Sequence, residues 1–142
     1  GVRFRSLVGK GRDGSGEAVN LAGDQLLCRD LVRSSVRSPF ERDVLQHFDS
    51  CETLLDYAFL RLGIDTEAVR HPVLLTEALC NPNQCRQRTS EILFEGYGVP
   101  KAAYAVDGLL AYHRNCPPGG AGAGLSVHLG GSASYITPFL GG

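Results

Sequence analysis

The apolar positions of this chain fall into runs whose spacing separates strands from helices. The clearest lies between His71 and Tyr112. Residues 73–77 (VLLTE) are a short apolar run fit for a buried strand. Asn81-Pro82 then has the residue types of a helix N-cap and a first helical position. The spacing predicts a helix over 83–97, with Cys85, Ile92, Leu93 and Gly96 on its buried face. Pro100 interrupts, and residues 102–106 (AAYAV) form a second short apolar run. A strand–helix–strand unit of this kind predicts a parallel pair with a right-handed crossover. A further helix is expected over 107–114, with Leu109, Leu110 and His113 on one stripe. His113 reads as a helix-end histidine near the negative pole of the dipole.

The N-terminal half is less regular. Residues 2–8 alternate as VRFRSLV, the pattern of a short strand or extended segment. GKGRDGSGE (9–17) is rich in glycine and charge. It lacks the ending and flanking elements of a phosphate-binding Walker loop, so a solvated loop is the reading taken. Arg29, Arg33 and Arg37 are spaced by four, which on a helix makes a basic stripe. The same residues fit a strand meander carrying Leu31 and Val36, and the pattern leaves both open. As function, three aligned arginines suit a phosphate backbone or an acidic partner; as plain structure, they are a solvated face. Ser38-Pro39 breaks what precedes it. Asp49 or Ser50 is expected to cap a helix with Leu54, Leu55, Ala58, Phe59 and Leu62 on its apolar stripe, and Gly63 is its stop. Near the C-terminus, NCPPGGAGAG (115–124) reads as a linker. Two strands, 125–129 and 133–139, are expected to form a hairpin around Gly130-Gly131-Ser132.

Composition narrows the picture. With 142 residues and 43% hydrophobic content, one ordinary domain is expected. A net charge of -1 argues against a nucleic-acid-binding polycation or an acidic tail, while leaving room for a local basic patch. Five cysteines at irregular spacing do not suggest a disulfide framework. Cys80 and Cys85 lack the companion ligands of a zinc site, so free thiols and no metal are expected. No signal peptide and no apolar run near ~20 residues is visible, which fits a reducing intracellular compartment and no membrane. No G-x-S-x-G elbow suggests a hydrolase. Asp107 with His113 reads as a surface and helix-end pair. The chain starts without Met and ends on Phe-Leu-Gly-Gly, which is compatible with a fragment.

HPVLLTEA (71–78), then Asn81-Pro82, a helix ending in FE, then VP and AYAVDGLLAY (103–112), resembles the actin superfamily. VRFRSLVGKGR, GDQLLCRDLVRSSVRSPFER and residues 124–142 extend the resemblance over essentially the whole chain. The implied fold class is α/β, an actin-like (ribonuclease H-like) fold that is incomplete. Residues 1–118 would be part of the first lobe, with the outer subdomain at about 9–38. Residues 119–142 would be the glycine-rich connection and the opening hairpin of the second lobe. RSPFERDV, LLDYAFLRLGI, EALCNP and VPKAAYAVDGLLAYHRN are similar to a nuclear branch of actin-related proteins in INO-type chromatin remodelling complexes.

Departures from the actin pattern bear on activity. Actins carry D-S-G-D-G in the second hairpin; here His128 stands at the first Asp and Gly131 at the second. Asp107 occupies the position of the water-orienting Gln, and Tyr135 that of the usual His. The resemblance thus implies degenerate catalytic positions at Asp107, His128, Gly131 and Tyr135, and no metal ligand. Gly130, Gly131 and Ser132 would be the phosphate contacts of ATP held as a structural ligand. The implied function is a monomeric subunit of a nuclear hetero-complex that binds other remodelling subunits and the nucleosome (histones, and DNA indirectly). Transcription regulation and DNA repair follow from that role, a separate motor hydrolysing ATP. Arg29, Arg33 and Arg37 are the candidate partner contacts. The alternative is a cytoskeletal actin-like protein that binds and hydrolyses ATP and polymerises.

Overall fold

The computed structural model describes residues 1–12, 14–26, 35–64, 68–116, 122–131 and 133–140. They divide into two compact units, Gly1–Glu41 with Leu45–Val69, and Arg42–Val44 with Arg70–Gly142.

In the first unit, β1 (Val8–Arg12) and β2 (Ala18–Ala22) form an antiparallel hairpin, and β3 (Val36–Arg37) adds to the other edge of β1. The expected strand therefore starts only at Val8, and GKGR lies in a strand instead of the expected loop. Its glycines mark close packing. A Cβ on Gly9 would fall 2.8 Å from Leu26 Cδ2, and one on Gly11 2.6 Å from Leu21 Cδ1. Arg37 is exposed on β3, so the strand alternative holds at that end of the basic segment. Arg29, Leu31 and Arg33 lie outside the described residues.

A 3-10 turn (Gly23–Leu26) follows β2. β4 (Phe40–Glu41) and β5 (Val44–Leu45) are joined by Arg42 and Asp43, both at positive φ (49° and 63°), as a two-residue hairpin turn requires. Helix α1 (Phe48–Arg61) starts at His47, whose side chain makes no cap. Asp49 lies instead in the first turn, where its charge suits the helix dipole. The buried positions are Ser50, Leu54 and Tyr57, whereas Leu62 is 55% exposed. The stripe is rotated from the expected one because Tyr57 is its anchor. Val8, Ala22, Leu54 and Tyr57 form the core with Phe4 against it, and Phe4 meets the Tyr57 ring edge-on at 4.9 Å. Arg61 donates to the Tyr57 hydroxyl (2.6 Å) and to Asp24 (3.2 Å). Gly63, at φ +74°, ends the helix as expected.

In the second unit, β6 (Val73–Glu77) and β7 (Ala102–Val106) pair in parallel with Val73 opposite Ala102, as the sequence predicts. Leu74, Thr76 and Ala103 are exposed, so β6 is covered on one face and is not the fully buried strand expected. Helix α2 (Asn83–Glu91) begins at the predicted residue, but its cap is not the expected Asn81. Pro82 takes the N-cap position, and Asn81 donates its side-chain amide to Glu77. A π-helical turn (Ile92–Gly96) continues it. The wider turn shifts the register, so Leu93 is fully buried beside a half-buried Ile92 and an exposed Gly96. Helix α3 (Asp107–Asn115) leaves β7 directly. Its inner face is Gly108 and Tyr112, one turn apart, whereas Leu109, Leu110 and His113 are exposed, which corrects the expected stripe. The strands β8 (Gly124–Leu129) and β9 (Ser134–Phe139) form the predicted hairpin. Gly108 lies against Ser126 and Thr137, Gly124 lies under the Tyr112 ring, and Tyr112 stacks on Phe139 at 4.6 Å. Among the described residues, no helix is long and apolar enough to cross a membrane.

Two stability predictions follow from these contacts. Gly23 sits at φ +55°, and a Cβ there would fall 2.7 Å from Tyr57 Cε1 and 3.0 Å from Phe4 Cδ2. Gly23→Ala should therefore lower stability by about 1–3 kcal/mol, read from the urea midpoint. In the second unit, Arg86 pairs with Glu77 and lies over the Tyr104 ring. The Glu77 carboxyl is held below the ordinary glutamate value of 4.5, first by the hydrogen bond from Arg86 and against the opposing effect of burial. A depressed carboxylate stabilises the fold above its unfolded value, and that contribution disappears as pH falls through the folded value. Urea midpoints should drop below pH 4.5 in the wild type, and Glu77→Gln should flatten that part of the profile.

Candidate functional site

Four side chains from four segments meet near the tip of the β8–β9 hairpin in the second unit. His128 and Tyr135 are cross-strand partners, and alternation along each strand turns both toward the same face. Their rings stack nearly parallel, 4.5 Å apart at 8°. Asp107 is the first residue of α3, placed by the direct step from β7 into the helix. Asp43 is at the β4–β5 turn.

Hydrogen bonds join Tyr135, Asp107 and the Gly108 N–H, and His128 and Asp43 lie beside them. The Tyr135 hydroxyl lies 2.6 Å and 2.7 Å from the two Asp107 carboxylate oxygens, to which it donates. The Gly108 N–H donates to the same carboxylate at 2.6 Å. Burial raises the Tyr135 phenol well above its ordinary value, helped by the bond to Asp107 and by the charges of Asp107 and Asp43. It therefore stays a neutral donor at physiological pH. His128 Nδ1 is 3.4 Å from Asp107 Oδ2, and its Nε2 is 3.9 Å from Asp43 Oδ2. The Asp43 Oδ2 atom is buried.

The turn itself is tight. The Gly130 N–H donates to the Ala133 carbonyl at 2.9 Å. A Cβ on Gly130 would fall 2.7 Å from that carbonyl oxygen and 2.8 Å from His128 Nε2, so only glycine allows this approach. Gly131 is open, with nothing within 4 Å of a Cβ built on it. Ser132 lies outside the described residues.

The structure thus brings together Asp107, His128, Gly130, Gly131 and Tyr135, while exposed Arg37 lies in the other unit. Asp43 is the residue that sequence reasoning missed. The only signal for it was an Arg-Asp pair between two short apolar runs. A metal-bound triphosphate does not fit these groups as they stand. The Gly130 N–H already has an acceptor, two carboxylates oppose added negative charge, and the imidazole is a poor magnesium ligand. Among the described residues, no group of three His, Cys, Asp or Glu could hold a metal ion. Cys85 is buried and Cys80 exposed, and neither is in a disulfide. The Cys51 thiol is pushed up to about 11, mainly by burial and further by Glu52, which makes it a poor nucleophile.

Comparison with known proteins agrees with the architecture. The actin family matches residues 1–142. The chain is 39% identical to "Actin-related protein 5" of Homo sapiens over 143 residues, covering 99% of this chain and 24% of that protein. It is 41% identical to "Actin-like protein arp5" of Schizosaccharomyces pombe over 140 residues, covering 98% of this chain and 19% of that protein. Against "Actin-related protein 5" of Arabidopsis thaliana it is 43% identical over 119 residues, with 80% and 16% covered. The chain therefore spans a quarter or less of the length of these relatives. With a family match that runs from end to end and strands and helices that form an incomplete α/β actin-like fold, this chain belongs to the actin family.

Proposed function

We propose that this protein is a structural and regulatory subunit of a nuclear, ATP-dependent chromatin remodelling complex, with little or no ATPase activity of its own. The observation that carries the reading is the Tyr135–Asp107 hydrogen bond with the His128 ring stacked on Tyr135. The resemblance to actins places these three residues at positions that serve hydrolysis; here Asp107 and Tyr135 bond to each other and His128 stacks on Tyr135. The similarity to actin-related proteins of human, fission yeast and plant supports the same reading.

In this reading, residues 1–118 belong to the first lobe and residues 119–142 open the second. The β8–β9 turn, with Gly130, Gly131 and Ser132, is where a phosphoryl group would approach. Other remodelling subunits and the nucleosome are the partners, reached through the actin-fold surface, and a separate motor hydrolyses ATP. Arg29, Arg33 and Arg37 are the proposed contacts to acidic or phosphate groups.

Two outcomes test this. Purified intact protein, with no motor subunit present, should show no ATP turnover at actin-like rates; turnover at such rates would sink the reading. Reversing the charge of Arg29, Arg33 and Arg37 together should weaken nucleosome binding roughly tenfold or more in low-salt titrations and reduce its salt dependence. Unchanged binding would remove the three arginines from the interface.

A further inference from the structure

The position of the Asp43 carboxylate is tightly specified. Its backbone is held at φ +63°, a conformation that non-glycine residues rarely adopt and that Asp tolerates better than most. Its Oδ2 is buried and lies 3.9 Å from His128 Nε2. The same oxygen is 3.4 Å from where a Cβ on Gly130 would stand. A carboxylate oxygen is therefore already seated against the glycine turn, beside the His128 imidazole. Among the described residues, Asp107 from α3 and the Tyr135 phenol from β9 also pack against that imidazole. Neither supplies a positive charge that would offset a second anion.

We propose that the Asp43 carboxylate is a built-in occupant of the anion position at the β8–β9 turn and keeps phosphoryl ligands away from Gly130 and Gly131. It does so in two ways. It fills the space next to Gly130 and His128, and its charge repels an incoming phosphate oxygen at short range. This inference rests on the reading of that turn as the approach of a phosphoryl group, given under Proposed function. It adds the residue that closes the approach.

The test uses the intact protein as wild type, Asp43→Asn, Asp43→Gly and Glu41→Gln, each titrated by calorimetry with magnesium ATP and, separately, with inorganic pyrophosphate. Asparagine keeps the side-chain shape and tolerates positive φ, glycine removes the side chain, and both remove the charge. Glu41→Gln removes a like charge two residues away, from a side chain that is 69% exposed. Both Asp43 variants should bind at least one probe about tenfold more tightly than wild type, and Glu41→Gln should match wild type. Should Asp43→Asn not fold, Asp43→Gly carries the test. Equal affinities for wild type and the folded Asp43 variants, including no binding by any of them, overturn the proposal. So does an equal gain in Glu41→Gln, which would be an effect of net charge alone. ATP turnover by the wild type sinks the scaffold reading instead, and the affinity ratio still decides the role of Asp43.

Discussion

The bond between the Tyr135 hydroxyl and the Asp107 carboxylate is the interaction on which the second unit's site depends. It joins β9 to the first residue of α3, which itself follows β7 without a loop. A carboxylate at a helix N-terminus is favoured by the dipole and by the Gly108 N–H. The phenol satisfies the same carboxylate from the opposite side and is held neutral by burial and by the charges near it. Once that pair is made, the remaining geometry is constrained. Tyr135 fixes the plane on which His128 stacks, and His128 fills the space beside the glycine turn.

The Asp107 carboxylate and the Tyr135 phenol, groups that an enzyme could present to a substrate, here bond to each other and to the Gly108 N–H. Breaking such a network to admit a ligand would leave partly buried charges without partners, a cost that a loosely hydrated cleft does not carry.

In the first unit a different constraint dominates. Gly23, at positive φ, lets the Phe4 and Tyr57 rings meet over it, and Arg61 donates both to the hydroxyl at the far end of Tyr57 and to Asp24. That contact decides which face of α1 is buried. Periodicity alone put Leu55, Phe59 and Leu62 inside, because an apolar stripe carries no information about a neighbouring glycine that admits a ring. The same blindness placed GKGR in a loop. Glycine usually signals a turn, and here it marks strand positions where Leu21 and Leu26 lie close.

What the sequence by itself determined was local or carried by specific motifs: the bounds of β6 and β7, their parallel pairing, the β8–β9 hairpin, the stop at Gly63 and the resemblance to actins. Each rests on neighbours within a few residues, or on side-chain types that name a family. The tertiary structure alone decided the rotation of α1, the register shift of the π-helical turn, the exposure of Leu109 and Leu110, and the arrival of Asp43 beside His128. These depend on which side chains meet from segments far apart in the chain. Hydrophobic periodicity is blind to such meetings, because it records the face a residue occupies and not the group that faces it.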